Sequence, residues 1–302
     1  MGSEMELLAW GVEGQRYLSW AIDEAERLEQ CWSRFRPTSE LSALNSSKGQ
    51  PHSCSTLLWA AVERAATAWH ETGGLFDATV LDTLVTLGYS DTFRAVAPSG
   101  PAVRAVPVPV FGQITLDAAS STVVVPGGIA LDLGGLGKGL TADMLVAGLL
   151  ERGATSVMIS AGGDIRVGGP GPDDDDAWMT EIEHPIDAST LLRFPLVDEA
   201  LVQSTTRLRR WERGGVQLHH LIDPRTGWPA ETGLAAVVVT GPQAWRAEVM
   251  AKAALIAGER EGLALLARVG HDGWLVRDDA TVVATADVAG DLPSAQEGAH
   301  AG

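Results

Sequence analysis

The spacing of hydrophobic residues changes between a helical and a strand-like period several times along this chain. Apolar residues three and four positions apart predict helices, which are expected at residues 18–28, 55–72, 140–150, 243–257 and 260–268. The apolar face of the first helix consists of Leu18, Ala21, Ile22, Ala25 and Leu28. Pro37 and the pair Gly73-Gly74 follow the first two helices, where proline and glycine end helical structure.

Short apolar runs predict the strands. They are expected as an edge strand at residues 5–12, a hairpin at 114–116 and 122–125, a strand at 157–160 and a last hairpin at 274–276 and 281–284. Residues 178–239 contain only short strand-like runs, which are typical of antiparallel structure. The order strand, helix, strand between residues 122 and 160 predicts sheet strands joined through a covering helix.

Length, charge and cysteine content narrow the class of protein. At 302 residues the chain is long enough for one large domain or two small ones. Its formal charge of −17 argues against a nucleic-acid partner, because phosphate binding needs clustered Lys and Arg. Cys31 and Cys54 match no metal-ligand spacing. No segment approaches the ~18 apolar residues of a membrane span, and no signal peptide precedes the chain. We therefore expect a cytoplasmic protein, or an exported one if an N-terminal segment has been removed.

A glycine-rich stretch between a predicted strand and a predicted helix is the first candidate site. Gly134, Gly135, Gly137 and Gly139 fall within six residues, shortly after Asp132. Glycine removes the Cβ atom that would hold a ligand away from the backbone, and unpaired N–H groups at the start of the next helix attract anions. The spacing matches neither of the common glycine motifs for nucleotides. A tight strand-to-helix turn without a ligand explains the same glycines.

Three further segments carry polar residues in places suited to a ligand. The loop Arg34-Phe35-Arg36 offers cations and a ring to an anion or a stacked ring, although such loops also form ordinary surface corners. Asp77 is a lone carboxylate between apolar residues, suited to a ligand or to capping the next helix. His220 precedes a sharp loop predicted by Pro224 and Gly227. It is either a proton acceptor near neutral pH or a strand-end residue bonded to a carbonyl.

Six separated stretches together resemble one protein family. They follow the family's order over almost the whole chain, and it is their combination rather than any single stretch that is specific. They are Met1-Gly2-Ser3; Ser33-Arg34-Phe35 with Ser39-Glu40-Leu41 and Asn45; Gly74-Leu75-Phe76-Asp77-Ala78-Thr79; Asp132-Leu133-Gly134-Gly135 with Lys138-Gly139; Gly162-Gly163-Asp164-Ile165; and His220-Leu221-Ile222-Asp223-Pro224-Arg225-Thr226-Gly227. On these residues the chain resembles the ApbE-type FAD:protein FMN transferases.

The resemblance implies a fold and a reaction. The implied fold is a single α+β domain over residues 1–290, with a mixed or antiparallel sheet, covering helices and a glycine-rich flavin-binding cleft, followed by a flexible tail at residues 291–302. The implied enzyme uses a divalent metal, usually Mg²⁺, to cleave the diphosphate of FAD. FMN then passes to a Thr or Ser hydroxyl of an acceptor protein, and AMP is released.

The resemblance also implies roles for individual residues. His220 would take the proton of the acceptor hydroxyl, and Asp132 and Lys138 would act with it in catalysis. The main-chain oxygen of Gly135 and the carboxylate of Glu248 would bind the metal. The implied flavin-site residues are Met1, Arg34, Phe35, Asp77, Ala78, Thr79, Asp132, Lys138, Gly163, Asp164, Leu221, Ile222 and Asp223. These roles suit the chemistry, since attack on a diphosphate develops negative charge that cations must neutralise.

One stretch departs from the family pattern at the expected metal site. The pattern is Ala-Asp-x-x-x-Thr, with Asp and Thr as metal ligands, whereas this chain has Ala247-Glu248 and then Lys252. Glu248 keeps a carboxylate, but a protonated Lys252 has no lone pair for a cation. Lys252 therefore supplies part of the metal's positive charge, marks a site that has lost its metal, or forms only an ion pair with Glu248.

These features leave three functions open. The first is an FMN transferase that acts on a protein, the second is a non-catalytic FAD-binding protein, and the third is an FAD pyrophosphatase that uses water as the acceptor. His220 and Asp132 favour a catalyst, whereas Glu248 and Lys252 favour the other two functions.

Overall fold

A computed structural model describes residues 4–172 and 176–291 of the chain. Its α-helices are α1 (Gly14–Trp32), α2 (Glu40–Asn45), α3 (Thr56–Glu71), α4 (Leu81–Thr86), α5 (Gly137–Glu151), α6 (Ala244–Ala257) and α7 (Glu259–Val269). Its strands are β1 (Met5–Trp10), β2 (His52–Ser53), β3 (Thr115–Asp117), β4 (Thr122–Val124), β5 (Ser156–Ala161), β6 (Asp164–Gly168), β7 (Trp178–Glu183), β8 (Thr190–Leu196), β9 (Ala200–Thr205), β10 (Arg210–Arg213), β11 (Val216–His219), β12 (Ile222–Asp223), β13 (Trp228–Pro229), β14 (Leu234–Gly241), β15 (Gly273–Arg277) and β16 (Val282–Ala284). Helices and antiparallel strands in one chain confirm the α+β class.

Within the described ranges, seven strands form the main sheet in the order β1-β5-β6-β9-β14-β15-β16. Every neighbouring pair in it is antiparallel. Strand β1 lies at one edge, as its sequence predicts. Strand β14 lies in the interior of the sheet and is buried along its whole length, which explains its uninterrupted run of apolar residues.

The two faces of the main sheet carry different hydrophobic cores. Successive side chains of a strand point to opposite faces, so Val237 and Val239 contact the core formed with α5 and α6. Ala236 and Val238 belong instead to a second core with Trp274. The β7–β8 hairpin covers this second face through side chains such as Trp178, Ile182, Leu191, Leu192 and Leu196. Helices on one face and a hairpin on the other bury the sheet.

A third, smaller hydrophobic cluster lies away from the main sheet. Leu84 and Leu87 of the α4 region pack against Trp211 and Leu218 of the β10–β11 hairpin, and Tyr89 lies among them. The indole N–H of Trp211 donates to the carbonyl oxygen of Leu87 at 2.6 Å. This cluster fixes the end of β11, and with it His219 and the adjacent His220.

Helix α1 differs from its prediction. It extends further in both directions, and its predicted face is partly wrong, because Leu18 is 41% exposed and Ile22 is 68% exposed. The buried face is centred on Tyr17, Ala21 and Leu28. At about 100° per residue, Leu18 and Ile22 lie on the flank of this face. Helical spacing identifies an apolar stripe, but the centre of the buried face can differ from the predicted centre by about one residue.

The connection around α5 also differs from its prediction. Strand β4, before the helix, belongs to a small sheet with β2 and β3, whereas β5, after it, belongs to the main sheet. The helix therefore joins two sheets rather than two strands of one sheet. The reason is the short turn between β3 and β4, which lets these strands pair locally.

Two expectations concern residues beyond the described ranges. The acidic run at residues 173–176 falls mostly outside them, as does the predicted flexible tail after Asp291. None of the helices within residues 4–172 and 176–291 is both long and apolar enough to cross a membrane.

Candidate active site

A cleft lies where the glycine-rich segment, the loop after α1, the end of β11 and helix α6 meet. Its empty space, counted to the open mouth, is about 1330 Å³. Most of the residues predicted for the site line this cleft, and they are Arg34, Phe35, Asp77, Asp132, Gly135, Lys138, Asp164, His220, Leu221, Ile222 and Glu248, together with Lys252. Segments far apart in sequence thus supply one common surface.

Helices α5 and α6 cap each other beside the cleft. A carboxylate oxygen of Glu248 on α6 accepts the N–H of Gly139 on α5 at 2.9 Å. In return, Asp143 on α5 accepts the N–H groups of Ala244 and Trp245 on α6, at 2.9 and 3.0 Å. Each carboxylate satisfies backbone donors at a helix start, where negative charge is favourable. This exchange fixes the position of Glu248.

The glycine at position 139 serves this helix contact. A Cβ atom there would lie 2.4 Å from the backbone carbonyl carbon of Ala244, so a larger residue would separate the two helices. The N–H of Gly137 donates to Leu133 O at 2.9 Å. The expected anion site of free N–H groups is therefore only partly present, because Gly137 and Gly139 already donate within the protein.

Two lysines and two carboxylates form a buried cluster on the wall of the cleft, here called the lysine–carboxylate cluster: Lys138, Asp164, Glu248 and Lys252. The Lys138 ammonium donates to Asp164 and, at 2.8 Å, to Glu248 Oε1. Lys252 Nζ donates to the same Glu248 oxygen at 2.9 Å. Glu248 is fully buried, and each lysine side chain is 14% exposed.

Burial and mutual attraction decide the charges in this cluster. Burial lowers the pKa of Lys138 to about 8, even though Glu248 favours its charged form. Burial also lowers the pKa of Lys252. Burial alone would raise the pKa of Glu248, but the positive charges of Lys138 and Lys252 outweigh it and hold the pKa below its usual value. Glu248 is therefore ionised and shared between two cations.

Asp132 begins the glycine-rich turn and faces Arg34. Its carboxylate lies 2.9 Å from Arg34 Nε and accepts the N–H of Gly134 at 2.7 Å. The Arg34 guanidinium also donates to Tyr89 O at 3.1 Å and lies 4.1 Å from the centre of the Phe35 ring. The ion pair and the ring contact hold both charged groups in place at the cleft surface.

The adjacent histidines have different surroundings. His220 lines the cleft, and its buried Nδ1 has no hydrogen-bond partner among the described residues. Its pKa lies well below 6.5, first because it is buried and then because Arg209 and Lys252 are positively charged. His220 is therefore neutral at pH 7, with an imidazole that can accept a proton.

His219 points into the protein instead. Its Nε2 lies 3.1 Å from Ala230 O, and its Nδ1 accepts the N–H of Leu221 at 3.3 Å. Burial lowers its pKa to about 4. His219 thus hydrogen-bonds within the protein, and His220 is the one of the two histidines that faces the cleft.

Asp77, Ala78 and Thr79 make contacts within the protein. Asp77 is at the cleft, but it caps the short helix that follows, accepting the N–H of Thr79 at 2.9 Å and that of Phe111 at 3.1 Å. Ala78 and Thr79 lie behind it, and Ala78 O accepts the N–H of Asp132 at 2.7 Å. This segment therefore contacts the start of the glycine-rich turn through the Ala78 carbonyl.

Asp223 and Gly163 are not among the residues that line the cleft. The Asp223 carboxylate accepts hydrogen bonds from the backbone N–H and the guanidinium of Arg225, in the turn predicted there. Gly163 has a φ of +91° in the turn between β5 and β6, and it is its neighbour Gly162 that reaches the cleft. Met1 is outside the described residues.

The cleft also contains residues to which the sequence pattern gave no site role: Trp32, Phe76, Tyr89, Gln203, Ser204, Thr205, Leu208 and Arg209. Arg209 had a detectable signal, because the run Arg207-Leu208-Arg209-Arg210 concentrates positive charge in an acidic chain. Tyr89 and Gln203 carry no local signal, since they reach the cleft only through the packing of the α4 region and of β9.

The expected Mg²⁺ ligands do not form a cation site. Among the described residues no group of three or more His, Cys, Asp or Glu side chains could hold a metal ion. Glu248 already accepts three donors, two of them ammonium groups. The Lys252 side chain also lies beside Gly135, with its Cδ 3.8 Å from the position a Cβ would take there. A divalent cation between Gly135 and Glu248 would meet positive charge, so these residues do not fit the metal.

Comparison with known proteins gives a consistent result. The family model described as "ApbE family" matches residues 1–274. The chain is similar to the FAD:protein FMN transferase of Treponema pallidum (strain Nichols), with 29% identity over 281 residues that cover 87% of this chain and 77% of the relative. It is also similar to the FAD:protein FMN transferase of Vibrio cholerae serotype O1, with 26% identity covering 84% of this chain and 78% of the relative.

Solved structures agree with this result at the level of the fold. The ApbE protein of Thermotoga maritima matches with a TM-score of 0.86 at 20% identity, covering 96% of this chain and 99% of that one. The flavinyl transferase ApbE of Pseudomonas stutzeri matches with a TM-score of 0.78 at 19% identity, covering 96% and 97%. With the fold shared and the family model matching nearly the whole sequence, the chain belongs to the ApbE family.

Proposed function

We propose that this chain is an FAD:protein FMN transferase, which moves FMN from FAD to a Thr or Ser hydroxyl of an acceptor protein and releases AMP. The observation that carries the proposal is the position of His220, whose unpartnered Nδ1 is buried at a cleft that also contains the cations Lys138 and Lys252. A proton acceptor beside cations suits attack by a hydroxyl on a diphosphate. The names of the similar proteins support the same reaction.

The cleft offers separate surfaces to the two parts of the flavin nucleotide. Phe35, Leu221 and Ile222 present ring and aliphatic surface, on which a flat isoalloxazine ring packs well. Lys138 and Lys252 present ammonium groups that attract the diphosphate. The flavin ring binds at the first surface and the diphosphate at the second.

The transfer step follows from these positions. The acceptor hydroxyl oxygen forms a bond to the phosphorus of the FMN half, and the bond from that phosphorus to the bridging oxygen breaks. His220 takes the hydroxyl proton, and AMP leaves with the bridging oxygen. Lys138 and Lys252 stabilise the negative charge that develops on the phosphate oxygens. No step is assigned to Mg²⁺, because the residues at its expected site do not fit the ion.

The test uses FAD and a purified protein that the Vibrio cholerae relative flavinylates. AMP is measured by chromatography, and covalent flavin is measured by in-gel fluorescence after denaturation. We expect AMP and fluorescent acceptor in equal amounts, and neither product without the acceptor. AMP formed equally well without acceptor would instead indicate an FAD pyrophosphatase. FAD binding without AMP would indicate a non-catalytic FAD-binding protein.

A further inference from the structure

The Lys252 side chain lies close to both residues expected to hold a metal ion. Its ammonium lies 2.9 Å from Glu248 Oε1, and its side chain passes beside Gly135, whose main-chain oxygen was the other expected ligand. Lys252 is one helical turn after Glu248 on α6, so the helix itself sets this placement. A positive charge is therefore built into the protein at this point.

The hydrogen bonds of Glu248 strengthen this assignment. Oε2 accepts the backbone N–H of Gly139, and Oε1 accepts both lysines, so both oxygens of this buried carboxylate are in use. A cation at Glu248 would lie beside two ammonium groups that already share this carboxylate. The pair is thus arranged to hold Lys252 in place.

The Lys252 ammonium still has donor capacity toward the cleft. An ammonium group has three N–H donors, and the contacts of Lys252 with the described residues are to Glu248 Oε1 and, at 3.5 Å, to Glu248 O. Lys252 lines the cleft, where a phosphate oxygen can accept the remaining donor.

We propose that the Lys252 ammonium takes the place of a divalent cation, so that this chain binds the diphosphate of FAD without a metal ion. The identity of the ligand rests on the proposed function, whereas the replacement of the metal rests on Lys252 and Glu248. In this arrangement Lys252 neutralises the diphosphate directly, and Lys138, which donates to the same Glu248 oxygen, assists it.

The first test measures metal and ligand binding to the wild-type protein. FAD is titrated by fluorescence quenching in EDTA and in MgCl₂, and bound Mn²⁺ is measured by electron paramagnetic resonance with and without FAD. We expect FAD affinities within twofold of each other in the two buffers, and no stoichiometric Mn²⁺. Stoichiometric Mn²⁺, or FAD binding that Mg²⁺ tightens about tenfold or more, would overturn the inference.

The second test removes the charge. Lys252→Met should weaken FAD binding in EDTA about tenfold or more, because a charge-assisted hydrogen bond is lost. Lys48→Met is the matched control, since Lys48 is exposed and does not line the cleft. Lys252→Thr, which supplies an oxygen instead, should make FAD binding dependent on Mg²⁺. Equal FAD affinities for Lys252→Met and Lys48→Met would show that Lys252 forms only an ion pair.

Inorganic diphosphate separates this inference from the proposed function. One outcome is that the wild-type protein binds diphosphate in EDTA, the Lys252→Met variant does not bind diphosphate, and FAD binds to neither protein. In that case the proposed function is wrong and the role of Lys252 stands. If the wild-type protein binds diphosphate only with Mg²⁺, or binds neither ligand in EDTA, the inference fails.

Discussion

Replacing Glu248 by alanine tests whether the lysine–carboxylate cluster holds α5 and α6 together. The side chain is fully buried and accepts hydrogen bonds from Lys138, Lys252 and the Gly139 N–H. Removing one partner of a buried ion pair costs about 3–5 kcal/mol, because the remaining charges lose their compensation. For 302 residues, an unfolding entropy of about 2.1 cal/mol/K per residue amounts to about 0.6 kcal/mol/K. We therefore expect the Tm of Glu248→Ala to fall by about 5–8 °C.

The assay is thermal unfolding followed by circular dichroism, with Glu71→Ala as the matched control. Glu71 also pairs with a residue of α6, Arg246, at 2.9 Å, but these two side chains are 29% and 30% exposed. This partly exposed pair is expected to contribute about 1 kcal/mol, so the control should lose about 2 °C. The double variant Glu248→Ala/Lys252→Met should lose less than the two single losses added together, because it leaves one uncompensated charge fewer. Equal losses for Glu248→Ala and Glu71→Ala would refute the reasoning.

Three further predictions concern the histidines and the ligand. His220→Ala should lower turnover by about 10²–10⁴-fold with FAD affinity nearly unchanged, whereas His219→Ala should mainly lower the Tm. A large kinetic loss confined to His219→Ala would show that His219, and not His220, is the catalytic base. His219 has a pKa of about 4 in the folded chain and ~6.5 in the unfolded chain, so the unfolded chain binds more protons between these pH values. The free energy of unfolding therefore falls as the pH drops through this range, by up to about 3 kcal/mol. Urea unfolding of wild type and His219→Gln from pH 7 to 4 measures this, and the same pH slope in both proteins would contradict it. Finally, FAD should bind more tightly than FMN in fluorescence titrations, since the adenylate half adds contact area; equal affinities would exclude this.

The local pattern of the sequence was sufficient to predict most helices and strands and several of their boundaries. Helix α3 follows the predicted boundaries, with Ser55 as its cap, and Asp77 caps the short helix after it. Most of residues 178–239 form antiparallel strands, as their short apolar runs predict. These features depend on periodicity, capping and turn chemistry within a few residues, so the sequence alone determines them. The grouping of five of the six family stretches in one cleft also follows from the sequence, through the resemblance.

Only the tertiary structure decided which partners these residues have. Glu248 caps Gly139, a residue 109 positions away, and the same carboxylate joins Lys138 to Lys252. Strand alternation predicts that one of two adjacent histidines faces the cleft, but the packing of β11 on its hydrophobic cluster selects His220. A sequence pattern specifies that a side chain is buried or polar, whereas the contact it makes depends on how distant elements pack. The positive charge at the expected metal site can therefore be predicted from Lys252 in the sequence. The fold determines that the Lys252 side chain lies beside both Gly135 and Glu248.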